Sequence, residues 1–271
     1  MTRPVALYPV LAVLAGFTML PFAWVLSGSL RTTGDIQADP GAWLPDEVTL
    51  DNFGRLFTQA GFSTYLVNSV VVAAMVVVGN VVAAAAAGYA LAKLDFTGKR
   101  LAFGAVLAAL MVPFSATFVP QFVVTVGLGL VDTLQGIALP SLVLPVSVFI
   151  VRQFAGGIPD ELLEAARIDG ASEFRIFWTI AMPLAGPVLA TLGILTFLGS
   201  WNSFIYPLVM AQEPEMYTLP VALATFATGQ FQANHGWLMA GSVILVVPVL
   251  VLFVLMQRWI TEGIATTGLK G

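Results

Sequence analysis

The chain has 271 residues, of which 58% are hydrophobic and only 10% are charged, and its formal net charge is −4. Soluble domains carry about 25% charged residues, so this composition excludes an ordinary soluble fold and indicates an integral membrane protein. A single histidine and no cysteine exclude a disulfide framework and the usual metal (zinc) site, and no basic cluster indicates nucleic acid.

Charge-free runs predict six membrane-spanning helices, because a hydrocarbon core about 30 Å thick needs ~20 apolar residues in a helix. The first run is longer than a signal-peptide core and lacks a cleavage pattern, so we expect it to be retained. The predicted fold class is an all-α integral membrane protein, with one transmembrane domain over residues 1–271. The helices are predicted near residues 5–29, 66–92, 101–126, 134–154, 183–208 and 237–257.

The connections between these helices carry predictions of their own. Residues 57–64 indicate an interfacial approach to the second helix, and residues 156–182 form a segment between the fourth and fifth helices. Residues 210–236 contain acidic residues, prolines and a glycine, which favours an ordered loop over a further span.

The distribution of Lys and Arg predicts the orientation in the membrane. Nine of the eleven basic residues fall on one side of the predicted spans, and only Arg31 and Arg55 fall on the other. Positively charged loops stay on the cytoplasmic side, so both chain ends and segment 156–182 are predicted to be cytoplasmic. Loop 210–236 is then extracytoplasmic.

Signatures of catalysis are missing from the sequence. No zinc-protease motif or nucleophile elbow occurs, and the pair Gly98-Lys99 lacks the first glycine of a phosphate-binding loop. We therefore expect no catalytic residues and no ATP hydrolysis by this chain. Near the middle of the spans the polar residues are amides and hydroxyls, which suit either interhelical hydrogen bonds or a neutral, hydroxyl-rich solute. They are Asn68, Asn80, Ser115, Thr117, Gln121, Ser147, Ser200, Asn202 and Ser203.

Segment 156–182 is predicted to contain a short amphipathic helix. Pro159 suits its first position, Asp160 and Glu161 suit the positive end of the helix dipole, and Gly170 can end it in a left-handed conformation. A second helix is expected to begin near Ser172, a good N-cap residue. The first helix has a polar stripe of Asp160, Glu164 and Arg167 and an apolar stripe of Leu162, Ala165 and Ala166. Its acidic polar face favours docking into a protein groove over lying on a membrane surface.

The same segment resembles a known family. Glu164-Ala165-Ala166-x-x-Asp169-Gly170-Ala171, followed by Pro183 and Pro187, is similar to the EAA coupling motif of binding-protein-dependent ABC importer permeases. The chain resembles the second, maltose-transporter-type permease subunit of the carbohydrate-uptake type 1 importers. Further matches are Asn52-Phe53, Asn68-Ser69, Phe96-x-Gly98-Lys99, Trp201-Asn202 and Gly268–Gly271.

This resemblance implies a multi-pass subunit in the plasma (inner) membrane of a prokaryote, surrounded by membrane lipid. Its expected partners are a second, different permease subunit, two ATP-binding subunits and an extracytoplasmic solute-binding protein. ATP and Mg²⁺ would belong to the ATP-binding subunits, with no cofactor in this chain. The coupling residues would be Glu164, Ala165, Ala166, Asp169, Gly170 and Ala171.

The resemblance also implies contacts outside the coupling motif. The loop before the last helix would reach the solute-binding protein through Gln230, Gln232, Asn234 and His235, or these are solvated loop residues. The tail Gly268–Gly271 would touch the ATP-binding dimer. Trp201, Asn202 and Ser203 are candidates for the substrate path, since an aromatic ring beside an amide suits a pyranose, or they serve helix packing. The alternative function is a self-sufficient secondary carrier or channel for a small polar solute.

Overall fold

A computed structural model describes residues 7–228 and 234–268, with side chains for residues 8–228 and 234–256. The predicted contacts of Gln230, Gln232 and the tail residues 269–271 lie outside the described residues. Within the described part, the backbone forms fourteen α-helices. In chain order they are α1 Leu7–Ser29, α2 Thr33–Ala38, α3 Asp51–Gln59, α4 Phe62–Lys93, α5 Lys99–Met111, α6 Phe114–Gly127, α7 Leu134–Ala138, α8 Pro145–Gly156, α9 Asp160–Ile168, α10 Glu173–Ile176, α11 Met182–Trp201, α12 Ile205–Met210, α13 Leu219–Thr228 and α14 His235–Gly268.

Four helical stretches are long and apolar enough to cross a membrane. They are Tyr8–Ser29, Phe62–Lys93, Glu173–Trp201 and His235–Met256. The number rises to six if each of two bent pairs, α5 with α6 and the stretch Leu134–Ser141 with α8, is one broken span. Six spans and cytoplasmic chain ends therefore stay predictions.

The predicted helix 101–126 is wrong as a continuous element. The chain turns by 109° between α5 and α6. Pro113 has no N–H to donate and disfavours a helical conformation for the residue before it, and Val112 is extended, with φ −85° and ψ 117°. The same effect bends the predicted helix 134–154 by 47°, because Leu144 is extended before Pro145.

The predicted helix 183–208 is also interrupted. α11 ends at Trp201, and the separate α12 begins at Ile205. The side chain of Asn202 donates from Nδ2 to the backbone oxygen of Leu198 at 2.9 Å. Asn and Ser compete locally with the helical backbone pattern in this way, which accounts for the break.

The described part of the chain divides into two compact units, the first formed by residues 7–66, 217–228 and 234–250. In it Arg31, only 3% exposed, donates from Nη2 to the backbone oxygens of Asp35 and Asp39, each at 2.9 Å. Asn52 donates from Nδ2 to the backbone oxygens of Ser29 and Arg31, at 2.9 and 2.7 Å. These bonds shape the connection after α1. Helix α13 was not predicted within loop 210–236, and its buried side chains are Leu219, Val221, Ala222, Leu223 and Phe226.

The second unit comprises residues 67–216 and 251–268 and contains segment 156–182. Helices α4 and α8 approach closely where Gly88 faces Val151. A Cβ atom on Gly88 would lie 2.6 Å from the Val151 Cβ and 2.9 Å from the backbone nitrogen of Arg152. Small residues allow such close packing of membrane helices.

Candidate functional site

The predicted amphipathic helix of segment 156–182 is α9, and its ends follow from local sequence. It begins one residue later than expected, with Pro159 as the N-cap and Asp160 and Glu161 in the first turn. Gly170 has φ +81°, as its predicted role requires. The amide of Gly170 donates to the backbone oxygen of Arg167 and that of Ala171 to the backbone oxygen of Ala166, both at 3.0 Å. This pair of bonds is the Schellman ending of a helix.

The buried face of α9 differs from the predicted apolar stripe. Leu163 is 1% exposed and packs in a cluster with Tyr89, Ile158 and Ile176, against which Ala166 also packs. Leu162, expected on the apolar stripe, is 47% exposed, and Ala165 is also exposed. The buried face of α9 is therefore centred on Leu163, and Leu162 and Ala165 of the predicted apolar stripe are exposed.

Both ends of α9 are held by ion pairs. Lys93, the last residue of α4, donates from Nζ to the backbone oxygen of Ile158 and to Asp160 Oδ1, each at 2.6 Å. At the other end, Arg167 Nε lies 2.6 Å from Glu173 Oε1. The hydrogen bond from Lys93 lowers the pKa of Asp160, and the hydrogen bond to Glu173 raises the pKa of Arg167.

Lys93 was not predicted as a site residue. It served in the sequence analysis only as one of the basic residues that predict the orientation in the membrane. Its side chain is 6% exposed, whereas Asp160 is 72% exposed. A buried lysine at the end of a span indicates a specific partner, since its charge needs compensation. The sequence did not identify that partner.

The helix after α9 begins as predicted. Ser172 is the N-cap of α10, and its Oγ accepts the amide of Arg175 at 3.3 Å. A π-helical turn, Phe177–Ala181, then connects α10 to α11. The stretch Glu173–Trp201 is thus one 29-residue candidate span. Glu173, which holds Arg167, is its first residue.

The candidate substrate-path residues do not share one environment. Trp201 is 1% exposed and stacks on Phe197, with ring centroids 5.4 Å apart. This burial favours the alternative expectation, that Trp201 serves helix packing. Asn202 is exposed and Ser203 is half-buried. Of the three side chains, only those of Asn202 and Ser203 are exposed or partly exposed.

Two of the candidate contacts with the solute-binding protein, Asn234 and His235, lie at the start of α14 and differ in their surroundings. Asn234 Oδ1 accepts the amide of Trp237 at 3.0 Å. Asn234 therefore caps the N-terminus of α14, which gives its side chain a structural role. His235, the first residue of α14, is exposed.

Asn80 joins three helical elements in the middle of the second unit. It is fully buried, and its Nδ2 donates to Ser147 Oγ and to Thr196 Oγ1, each at 2.8 Å. Its Oδ1 accepts the amide of Leu144 at 2.9 Å, at the bend before Pro145. Asn80 thus supplies the acceptor that the broken helix lacks. Sequence reasoning named Asn80 and Ser147 as polar residues but did not name Thr196.

Asp132 fixes the start of loop 210–236. It has φ +55°, and its Oδ1 accepts the amides of Gln212 and Glu213 at 2.9 and 3.1 Å. Its own amide donates to the backbone oxygen of Met210 at 2.9 Å. No sequence pattern predicted this contact, which joins residues about eighty positions apart.

Comparison with known proteins decides the family. Residues 79–266 match the family described as binding-protein-dependent transport system inner membrane component. The chain belongs to this family. The matched region includes α9, both of its ion pairs and the Asn80 cluster.

Relatives extend over nearly the whole chain. The arabinooligosaccharides transport system permease protein AraQ of Halalkalibacterium halodurans is 40% identical, over 96% of this chain and 94% of that protein. The trehalose transport system permease protein SugB of Mycobacterium tuberculosis is 35% identical, over 94% of each. The family assignment made from the coupling motif is confirmed.

The fold has a solved counterpart. A bacterial ABC transporter involved in the import of the acidic polysaccharide alginate contains a chain that superposes with a TM-score of 0.80. The match covers 95% of this chain and 98% of that chain, at 23% sequence identity. This supports an all-helical fold of the kind found in ABC importer permeases.

Proposed function

We propose that this family member is a permease subunit of an ATP-driven importer and forms half of the translocation path for a carbohydrate. Its partners would be a second, different permease subunit, two ATP-binding subunits and an extracytoplasmic solute-binding protein. ATP and Mg²⁺ would bind to the ATP-binding subunits, and this chain would transmit the conformational change.

The observation that carries the proposal is the arrangement of α9. Its inner face is buried through Leu163, both ends are held by ion pairs, and its outer face exposes Leu162 by 47% and Ile168 by 86%. Exposed apolar side chains on a short, firmly held helix are typical of a docking element. Glu164, also exposed, would contact the same partner.

The two ion pairs explain how docking could drive the spans. Lys93 connects the first turn of α9 to the end of α4, and Arg167 connects its last turn to the start of the stretch Glu173–Trp201. A displacement of α9 would therefore be transmitted to both spans together, as a rigid-body movement requires.

The carbohydrate assignment comes from the relatives. The solutes for which AraQ and SugB are named, arabinooligosaccharides and trehalose, are both rich in hydroxyl groups. The amide and hydroxyl groups of the second unit fit such solutes, since they can donate to and accept from sugar oxygens.

The test is reconstitution of this chain with a partner permease, the ATP-binding subunits and the solute-binding protein from the same organism. The four-subunit complex in proteoliposomes should import labelled trehalose or arabinotriose only with ATP and the solute-binding protein. An ATP-binding subunit unable to hydrolyse ATP is the control. Uptake by this chain alone, with no ATP, would instead identify a self-sufficient carrier.

A further inference from the structure

A cavity of about 340 Å³ lies in the second unit, between α4, α8 and α11. Most of its lining is apolar, from residues such as Val76, Ile150 and Leu195. Four hydroxyl side chains also line it, and all four belong to regions predicted to cross the membrane. They are Ser141, Ser147, Thr196 and Ser200.

Asn80 orients two of these hydroxyls. Its carboxamide cannot be reversed without loss, because Oδ1 accepts the amide of Leu144 at 2.9 Å while Nδ2 donates to Ser147 and Thr196. Each hydroxyl oxygen therefore receives an N–H, and its own proton must point away from Asn80. Among the described residues, neither hydroxyl has a second hydrogen-bond partner. Both hydroxyl groups can therefore donate a hydrogen bond to a molecule in the cavity.

The other two hydroxyls have no side-chain hydrogen bond within the part of the chain that the structure describes. Ser141 and Ser200 are each partly exposed. Polar groups at membrane depth that face lipid would have to go without partners, which is costly. A polar occupant of this cavity resolves that cost.

We propose that this cavity is the part of the solute path that this chain contributes. Its occupant is a neutral, polyhydroxylated molecule. Ser147 and Thr196 donate to oxygens of the solute, while Ser141 and Ser200 exchange hydrogen bonds with its hydroxyl groups. No charged side chain lines the cavity within the described residues, which favours a neutral ligand over an ionic one. The inference rests on the proposed import function and adds the residues that meet the cargo.

The first arm of the test asks whether water reaches the cavity in the assembled importer. Ser200→Cys and Ser141→Cys are introduced singly into this chain, which has no native cysteine, and labelling by 2-sulfonatoethyl methanethiosulfonate is followed by its mass. Val78→Cys is the control, because Val78 is exposed on α4 but does not line the cavity. Both test cysteines should react about tenfold faster than the control.

Two labelling results would overturn the proposal. Rates equal to that of the control would place the cavity against lipid. Labelling in the isolated chain that disappears in the full complex would show that the partner permease fills the cavity. Neither result depends on knowing which sugar is transported.

The second arm measures uptake of trehalose and arabinotriose by the full complex. Ser141→Ala with Ser200→Ala should slow uptake about three- to tenfold, as expected for the loss of one or two neutral hydrogen bonds. Thr191→Ala is the control, because its hydroxyl is exposed and bonds to the backbone oxygen of Pro187 in its own helix. Capture of the ATP-binding subunit should be unchanged in both.

A filling substitution gives an independent check. Gly199 lines the cavity, and neither it nor Gly186 on the same helix has an atom within 4 Å of a new Cβ. Gly199→Leu should therefore reduce uptake while Gly186→Leu does not. Equal uptake in both would contradict the proposal, whereas a wild-type complex with no ATP-dependent uptake would contradict the import function instead.

Discussion

Lys93 Nζ lies 2.6 Å from Asp160 Oδ1 and thereby joins the last residue of α4 to the first residue of α9. The same ammonium group donates to the backbone oxygen of Ile158 at 2.6 Å. The pKa of Asp160 is lowered by this bond, so the pair is intact at neutral pH and is lost only as pH falls through that lowered pKa. Asp160 is therefore charged at neutral pH and can pair with the ammonium group of Lys93.

Lys93→Met should uncouple ATP hydrolysis from transport. The substitution keeps an apolar stem in a nearly buried position but leaves the oxygen of Ile158 without its donor, at a local cost of about 1–3 kcal/mol. The helix α9 would still dock but would pull less firmly on α4. The measurement is the ratio of solute imported to ATP hydrolysed in the reconstituted complex, which should fall.

Lys99→Met is the matched control for Lys93→Met. Lys99 pairs with the fully exposed Asp95 at 3.5 Å, and such surface pairs contribute only about 0–1 kcal/mol. This variant should keep the wild-type ratio. A normal ratio in both variants would remove Lys93 from the coupling pathway.

Gly170→Val should weaken the end of α9. Gly170 has φ +81°, and no atom of the described residues lies within 4 Å of a new Cβ, so the effect is backbone strain without a clash. A β-branched residue in this conformation costs about 1–3 kcal/mol. We expect less capture of the ATP-binding subunit and less solute-stimulated ATPase activity, with normal membrane insertion. Gly156→Ala, which has open space and no positive φ, is the control and should behave as wild type.

Glu164→Lys and Ile168→Asp should prevent docking without harming the fold. Both side chains are exposed on α9, Ile168 by 86%, so neither substitution disturbs the buried cluster around Leu163. Surface changes of this kind usually shift stability by less than about 0.5 kcal/mol. Capture of the ATP-binding subunit in a pull-down should nevertheless fall. Glu47→Lys, a charge reversal at an exposed residue of the first unit, tests for a general charge effect.

Asp132→Ala should loosen the start of loop 210–236. It removes the acceptor for the amides of Gln212 and Glu213 and places alanine at φ +55°, together costing about 1–3 kcal/mol. Limited proteolysis between residues 211 and 216 should become faster. Asp132→Asn keeps both an acceptor oxygen and tolerance of the left-handed conformation, so it should be close to wild type. Equal cleavage rates in the two variants would show that Asp132 does not order this loop.

Single cysteines should report the orientation of the chain. The background is clean, because the sequence contains no cysteine. Cysteines at Asp46 and Glu215, both exposed, should react in intact cells with an impermeant thiol reagent. A cysteine at the exposed Thr97 should react only after the cells are opened. Labelling of position 97 in intact cells would reverse the predicted topology.

Helix α9 could be predicted from the sequence because its ends depend on local signals. Its acidic first turn, its ending at Gly170 and the N-cap at Ser172 each depend on residues within a few positions of one another. Such signals act over one helical turn, and the structure confirms them to within one residue. The membrane class and the family motif were likewise available from composition and from a contiguous stretch of chain.

The two bends that lie at prolines were not predicted in the sequence analysis, since residues 101–126 and 134–154 were given as continuous helices. Pro113 and Pro145 each follow an extended residue, yet one bend is 109° and the other 47°. At Pro145 the amide of Leu144 bonds to Asn80, a contact between residues 64 positions apart.

What the sequence by itself determined was the class of molecule, the family and the local form of the coupling helix, because apolar runs and capping residues act through neighbours in the chain. What only the tertiary structure decided was which side chains face inward and which partners meet. Trp201 is buried, Leu163 takes the inner face of α9, and Lys93 reaches Asp160 across 67 positions. Burial and ion pairing across such separations depend on how helices pack, and helical periodicity alone leaves the direction of the packed face undetermined.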